Sequence, residues 1–269
     1  LLTIALLGTF LSSAMAQIES ETTLRGAVPP NYWPIEKSQP IIDKTQTIRL
    51  APDLSQLSAG EKKAVAKLLE VGKVFQSIYE DQRHKEALSS YRGLDKLIRF
   101  YISPAPAATA NLHTLYRLFQ GPIATTLENK REPFLPVDPV VPGKNMYPWG
   151  VKKEEIERFL AAHPEKRDEI MGLRTVVRTA NSLSADKDLA KLRKYPALDA
   201  LHPGLKAELE AISGVRGRPR PGMLRTQGFY AVPYSVAYAD ELMKAHALLN
   251  EAADALQKDD EEFARYLRN

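Results

Sequence analysis

The chain has 269 residues, 44% of them hydrophobic, and no cysteine. A chain of this size buries about three-quarters of the surface its unfolded form exposes, so it needs no disulfides, and the missing Cys excludes thiolate catalysis, Cys-ligated zinc and iron–sulfur chemistry. Its 37 basic and 33 acidic residues leave a net charge of +4; this bears on solubility, and no nucleic-acid partner is expected because Lys and Arg are not gathered on one face.

From Leu1 to Leu11 the chain is apolar, too short a run for the ~20 helical residues that span a bilayer. It ends at Ala14-Met15-Ala16, an A-x-A cleavage pattern. The reading is the back half of a signal peptide, residues 1–16, cut after Ala16. The mature chain is then periplasmic or secreted, with no stable membrane insertion after cleavage. An uncleaved anchor and a buried N-terminal helix are the alternatives.

Residues 17–57, with Pro29, Pro30, Pro34, Pro40 and Pro52, read as an extended Pro-rich arm, and residues 58–269 as a helical lobe that is incomplete at its C-terminus. Ser58-Ala59-Gly60-Glu61 is a capping box. Behind it Val65, Leu68, Leu69, Gly72, Phe75, Ile78 and Tyr79 form one apolar stripe, which predicts a helix over 59–81. Further helices are expected over 85–101 and 107–119, the last broken by Gly121-Pro122. Five prolines between Arg131 and Gly150 exclude a helix or a central strand, leaving a long ordered loop.

Helical pattern resumes over 152–162, and a short helix runs to about Leu173. Arg174 to Thr179 reads as the one clear strand. Helices over 185–194 and 203–212 precede a Gly/Pro/Arg loop at 213–228, and the longest helix is expected over 233–257. At Asp259-Asp260-Glu261-Glu262 a last helix starts without a stop signal. The fold class is therefore mainly α: a multi-helical lobe with a few short strands and long Pro-rich loops.

No catalytic constellation is legible. Among His84, His113, His163, His202 and His246 no pair has the spacing of a zinc peptidase. Glu80 and His84 share a helix face and read either as two metal ligands or as a solvated or capping pair, the latter favoured. G-x-S-x-G is missing. His246 falls on the stripe of Val236, Ala239, Leu242, Met243, Leu249, Ala253 and Leu256; a buried, hydrogen-bonded core histidine is favoured over a cleft residue. Arg218 and Arg220, in the loop from Arg216 to Arg225, offer planar forks for a peptide carboxylate or an acidic partner, against a merely solvated loop. Tyr230 and Tyr234, within Gly228 to Ser235, either line a cleft or staple the long helix to the core, and the staple is favoured. Arg218, Arg220, Tyr230, Tyr234 and His246 are thus the candidate substrate contacts; no catalytic and no metal position is assigned.

Several stretches together resemble a known family: Leu57-Ser58-Ala59-Gly60-Glu61-Lys62-Lys63 leading to Ile78-Tyr79; Gly121-Pro122-Ile123 with Asn129 to Phe134; Tyr147-Pro148-Trp149-Gly150; and Val232 to Tyr238. They are similar to the N-terminal part of exported bacterial Zn-dependent hydrolases related to dipeptidyl peptidase III. The resemblance covers the chain from about Leu57 onward. It implies part of a two-lobed, largely helical metallopeptidase with a cleft between the lobes and short peptides as substrates. In that family an H-E-x-x-x-H motif and a later Glu hold zinc, which activates water. The motif is absent from this sequence, so zinc is expected in the full-length parent and none in this portion. The alternative is a non-catalytic periplasmic or secreted helical binding protein that uses its Pro-rich and Arg-rich loops as the contact surface.

Overall fold

The computed structural model describes residues 28–100, 106–214 and 228–269. The expected signal segment and most of the Arg-rich loop, Arg218 and Arg220 included, lie outside the described residues. The fold is mainly α, with two small antiparallel sheets among the described residues. It divides into two compact units, the first drawn from Leu1–Arg49 and Glu86–Val140, the second from Leu50–Lys85 and Val141–Asn269.

In the first unit, helix α1 (Ile35–Ile42) lies inside the stretch read from sequence as an extended arm. Pro34 supplies its N-cap, and Pro40 sits inside it. The Ser38 hydroxyl, fully buried, donates back to the Pro34 carbonyl at 3.1 Å. Ile41 and Trp33 then reach a core shared with Leu94, Leu112, Leu115, Tyr116 and Phe134. Leu94 comes from α3 (Ala87–Phe100), and Leu112, Leu115 and Tyr116 from α4 (Ala107–Phe119). Helix α4 ends where Gln120 turns left-handed at φ 52° and Gly121 follows, the break expected from Gly121-Pro122.

Strands β1 (Ile123–Thr125) and β2 (Arg131–Pro133) form a hairpin in which Ile123 pairs with Pro133. A proline at the end of a two-stranded ribbon costs no ladder bond to a further strand. Beyond it Phe134 and Leu135 are buried, and Phe134 meets Trp33 edge-on at 6.1 Å. The Pro-rich loop is thus pinned by its apolar residues.

The second unit is built around a two-stranded ribbon. Strand β3 (Thr175–Thr179) is the one expected, and its partner β4 (Phe229–Pro233) runs antiparallel, pairing Val177 with Ala231. Successive side chains on a strand point to opposite faces, and both faces here are covered. Val176, Tyr230 and Val232 join the larger core with Val71, Leu189 and Leu248. Val177, Phe229 and Ala231 face Ile156, Leu160 and Ile170. Four consecutive buried residues in β4 fit a strand covered on both sides.

Around the ribbon stand α2 (Ala59–Arg83), α5 (Lys153–Ala162), a 3-10 turn at Pro164–Lys166, α6 (Arg167–Ile170), α7 (Ser182–Lys194), α8 (Pro196–Leu201) and α9 (Leu205–Gly214). Helix α2 begins with the capping box read from sequence: Glu61 N–H donates to Ser58 Oγ at 3.0 Å, and Ser58 N–H to the Glu61 carboxylate at 2.7 Å. Its buried residues are Ala64, Val71, Val74, Ile78 and Glu80, while Leu69, Phe75 and Tyr79 of the sequence stripe are exposed. The helix expected over 233–257 is interrupted: Pro233 closes β4, α10 (Tyr234–Ala237) makes one turn, and Tyr238 breaks it before α11 (Ala239–Leu256). A terminal helix α12 (Glu261–Arg268) is capped by the Asp260 carboxylate, which accepts from Phe263 N–H at 2.9 Å.

Candidate functional site

The β4–α10 junction concentrates the unusual chemistry of the second unit. Asp188 is 1% exposed on α7. Its Oδ2 accepts from Arg178 Nε of β3 at 3.1 Å and from the Tyr230 hydroxyl of β4 at 2.9 Å. Burial, reinforced by the Asp188 charge, drives the Tyr230 phenol far above its ordinary range, so it stays a donor. Nearby, burial raises the Asp81 carboxyl above its usual value; Arg178 and Lys191 oppose the shift and Glu241 adds to it. The Lys191 ammonium donates to the Ala237 carbonyl. Glu241 Oε2 is buried and has no hydrogen-bond partner among the described residues.

Over this network lies a narrow aromatic groove of about 270 Å³, lined by Phe75, Ile78, Tyr79, Gln82, Tyr234, Tyr238 and Leu242. Tyr234 and Tyr238 meet edge-on at 5.6 Å. Burial raises both phenols, and for Tyr238 the Asp81 charge adds to it. The exposed edge of Phe75 and Tyr79 makes the mouth apolar. Such a groove accepts an apolar or aromatic side chain; it offers no nucleophile.

The candidates from sequence separate here. Tyr234 lines the groove. Tyr230 does not line it: it is fully buried in the ribbon, closer to the core staple than to a substrate contact. His246 is exposed, against the expectation of a core histidine. The buried face of α11 is centred on Ala245, Leu248, Ala252, Ala253 and Leu256, and His246 follows Ala245 by about 100° of helical rotation. All of the stripe except Val236 lies on α11 itself, but the buried face is turned toward Ala245, Leu248 and Ala252, which leaves Met243 and His246 at its exposed edge. Among the described residues the His246 ring is hydrogen-bonded only to Asn250, Nε2 to Nδ2 at 3.1 Å.

Neither Glu80 nor His84 is solvated: both are buried, with His84 as the C-cap of α2, edge-on to Trp149 at 4.7 Å. His202 Nε2 and Ser235 Oγ lie 2.6 Å apart. His202 faces a groove that Ser235 does not line, so the pair ties the α8–α9 turn to α10 and does not present a nucleophile. Among the described residues no three His, Cys, Asp or Glu side chains converge on a metal position.

Asp188 and Arg178 were missed. The available signal was a carboxylate on the apolar face of a helix, in step with Ala185, Leu189 and Leu192, where burial demands a partner.

The architecture is similar to solved bacterial peptidase structures. With dipeptidyl peptidase III from Corallococcus sp. strain EGB it aligns at a TM-score of 0.58 and 22% identity, over 88% of this chain and 34% of that one. With DPP III from Caldithrix abyssi the TM-score is 0.55 and the identity 21%, over 86% of this chain and 33% of that one. The fold is dipeptidyl peptidase III-like. The chain spans about a third of the length of the DPP III structures it matches. No protein-family model and no curated protein matches it.

Proposed function

We propose that this chain is the N-terminal, cleft-forming portion of an exported zinc-dependent peptidase that hydrolyses short peptides. The observation that carries the reading is the DPP III-like fold over 86–88% of the chain. The apolar run before Ala16 supports export to the periplasm or beyond. Arg218 and Arg220 are suited to a peptide carboxylate, and Tyr234, in the aromatic groove, to an apolar peptide side chain. Tyr230 holds the ribbon beneath that groove and does not touch substrate.

The residues described here do not fit the zinc. Among the described residues no three His, Cys, Asp or Glu side chains converge, so no zinc ligand and no step of hydrolysis is assigned to them. What this portion contributes is the wall: a rigid ribbon, an aromatic groove and the loops beside it.

Peptidase assays on the product of the complete gene test the reading. Activity on short peptides is expected to be lost with a chelator and restored by zinc, with residues 1–269 alone inactive. The alternative is an exported helical binding protein, favoured by the lack of any nucleophile and base set facing a groove among the described residues. Chelator-insensitive peptide binding by the 269-residue chain, with no hydrolysis by the complete product, would establish it instead.

A further inference from the structure

We propose that a second groove, between the Pro-rich loop and helix α5, binds a free aliphatic carboxylate such as a medium-chain fatty acid, with its head at Lys152 and Arg167. The groove measures about 530 Å³, inside the range of about 300–1,000 Å³ typical of small-molecule sites. It lies entirely within the second unit, and its ligand is independent of any peptidase chemistry.

Its walls are apolar and fixed. Tyr147, Val151, Ile156, Leu160 and Met171 line it. Ile156 and Leu160 are also buried members of the core behind the ribbon, and Tyr147 and Val151 pack against that core. The Tyr147 hydroxyl donates to the Ile170 carbonyl at 3.2 Å, which holds the ring in place. At φ 79°, Gly143 turns the loop so closely over the same side chain that a Cβ would lie 3.3 Å from the Tyr147 Cβ and 3.4 Å from its ring carbon Cδ2. A preformed apolar trough of this kind needs no rearrangement to take an alkyl chain.

Its rim is positive. Lys152, Lys153 and Arg167 line the groove, with Glu157 as the acid. Lys153 is committed to Glu157 at 3.3 Å. Lys152 and Arg167 are exposed and have no carboxylate partner among the described residues. Arginine presents a fork that matches a carboxylate. Glu157 on the same rim works against a more highly charged head such as a phosphate dianion.

The backbone separates an alkyl chain from a peptide as occupant. Peptide amides need partners when they leave water. Several of the wall's own N–H groups are already used: Val151 donates to the Pro148 carbonyl at 3.0 Å, Ile156 to Lys152 at 3.4 Å and Met171 to Arg167 at 2.9 Å. Lys152 N–H donates to the Glu155 carboxylate at 2.8 Å, and Pro142 has no N–H. An aliphatic chain brings no amides and leaves none unpaired.

Isothermal titration of the 269-residue chain with decanoate, below its micelle concentration, is the test. Saturable 1:1 binding is expected. Lys152→Ala with Arg167→Ala should weaken it by about tenfold or more, as losing a charged hydrogen-bond partner does, and uncharged decan-1-ol should bind about as weakly to wild type. All of these substitutions are on exposed residues, and circular dichroism checks that folding is kept. Ala161→Trp, on the exposed wall of the groove, should block binding without touching the core. Non-saturating uptake, equal affinity in the double variant, or tighter binding of decan-1-ol or of acetyl-trileucine amide than of decanoate would overturn the proposal. Whether the complete gene product has peptidase activity does not enter any of these readouts.

Discussion

The Tyr230 hydroxyl donates to Asp188 Oδ2 at 2.9 Å, joining β4 to α7 through an oxygen that Arg178 also contacts. Removing the donor leaves a buried acceptor partly unsatisfied. Tyr230→Phe should therefore cost about 1–3 kcal/mol. Asp188→Ala should cost more, because it strands both the buried phenol and the guanidinium; the Arg178 side chain is 35% exposed, so water offsets part of its loss. Urea unfolding of both variants measures this, and an Asp188→Ala protein as stable as wild type would show that the cluster does not hold the ribbon.

Asp81 gives a pH dependence. Its carboxyl is raised above the ordinary 3.8, chiefly by burial, so the folded state binds the proton more tightly than the unfolded state does. Between the two pKa values the native chain carries more protons, and stability falls as pH rises through that window. The penalty is absent below the unfolded value and fully present above the folded one. Asp81→Asn removes it: the thermal midpoint should rise at neutral pH, and the gain should shrink as pH drops into the carboxylate range. A gain that grows on acidification would refute the assignment.

Gly60 sits in the first turn of α2, where a Cβ would collide with the Ala255 carbonyl near the end of α11 and with the Asp259 carboxylate. The Ser58 hydroxyl donates to that same carboxylate. Glycine is normally the worse helix residue, yet Gly60→Ala should destabilise by about 1–3 kcal/mol through overpacking. Calorimetry decides the sign.

His246→Leu should leave stability within about 0.5 kcal/mol of wild type, as surface changes do. Among the described residues the exposed ring has only its bond to Asn250 to lose. A drop of several degrees in the thermal midpoint would return the residue to the core.

Local signals were legible in the sequence. The capping box at Ser58, the stop at Gly121 and the strand from Thr175 each depend on neighbouring residues, and each stands where the pattern puts it. Long-range facts were not. The pairing partner of β3 lies some fifty residues on, and nothing in an alternating stretch names its partner. Helix α1 forms despite two prolines, because one occupies a capping position and the buried Ile41 and Ser38 anchor the rest. The faces of α2 and α11 were misjudged by a fraction of a turn, since an apolar stripe wider than the buried face cannot say which edge faces inward. For the candidate site, Tyr234 was legible as an aromatic beside a helix start, whereas the Arg178–Asp188 pair depends on residues that only folding brings together.

The ribbon also acts as a clasp. Ala180 N–H donates to the Gly228 carbonyl at 2.7 Å, so everything between them, α7 through α9 included, is an excursion whose two ends are fastened side by side. Closing so long a stretch is slow relative to forming its helices, because its entropy is lost before the strand contacts repay it. Compaction of the excursion before the clasp shuts would shorten the span that has to be closed. Insertions within its connecting turns should be absorbed as changes in the size of a closed bight, while a one-residue shift at either fastening would turn every side chain of one strand to the wrong face.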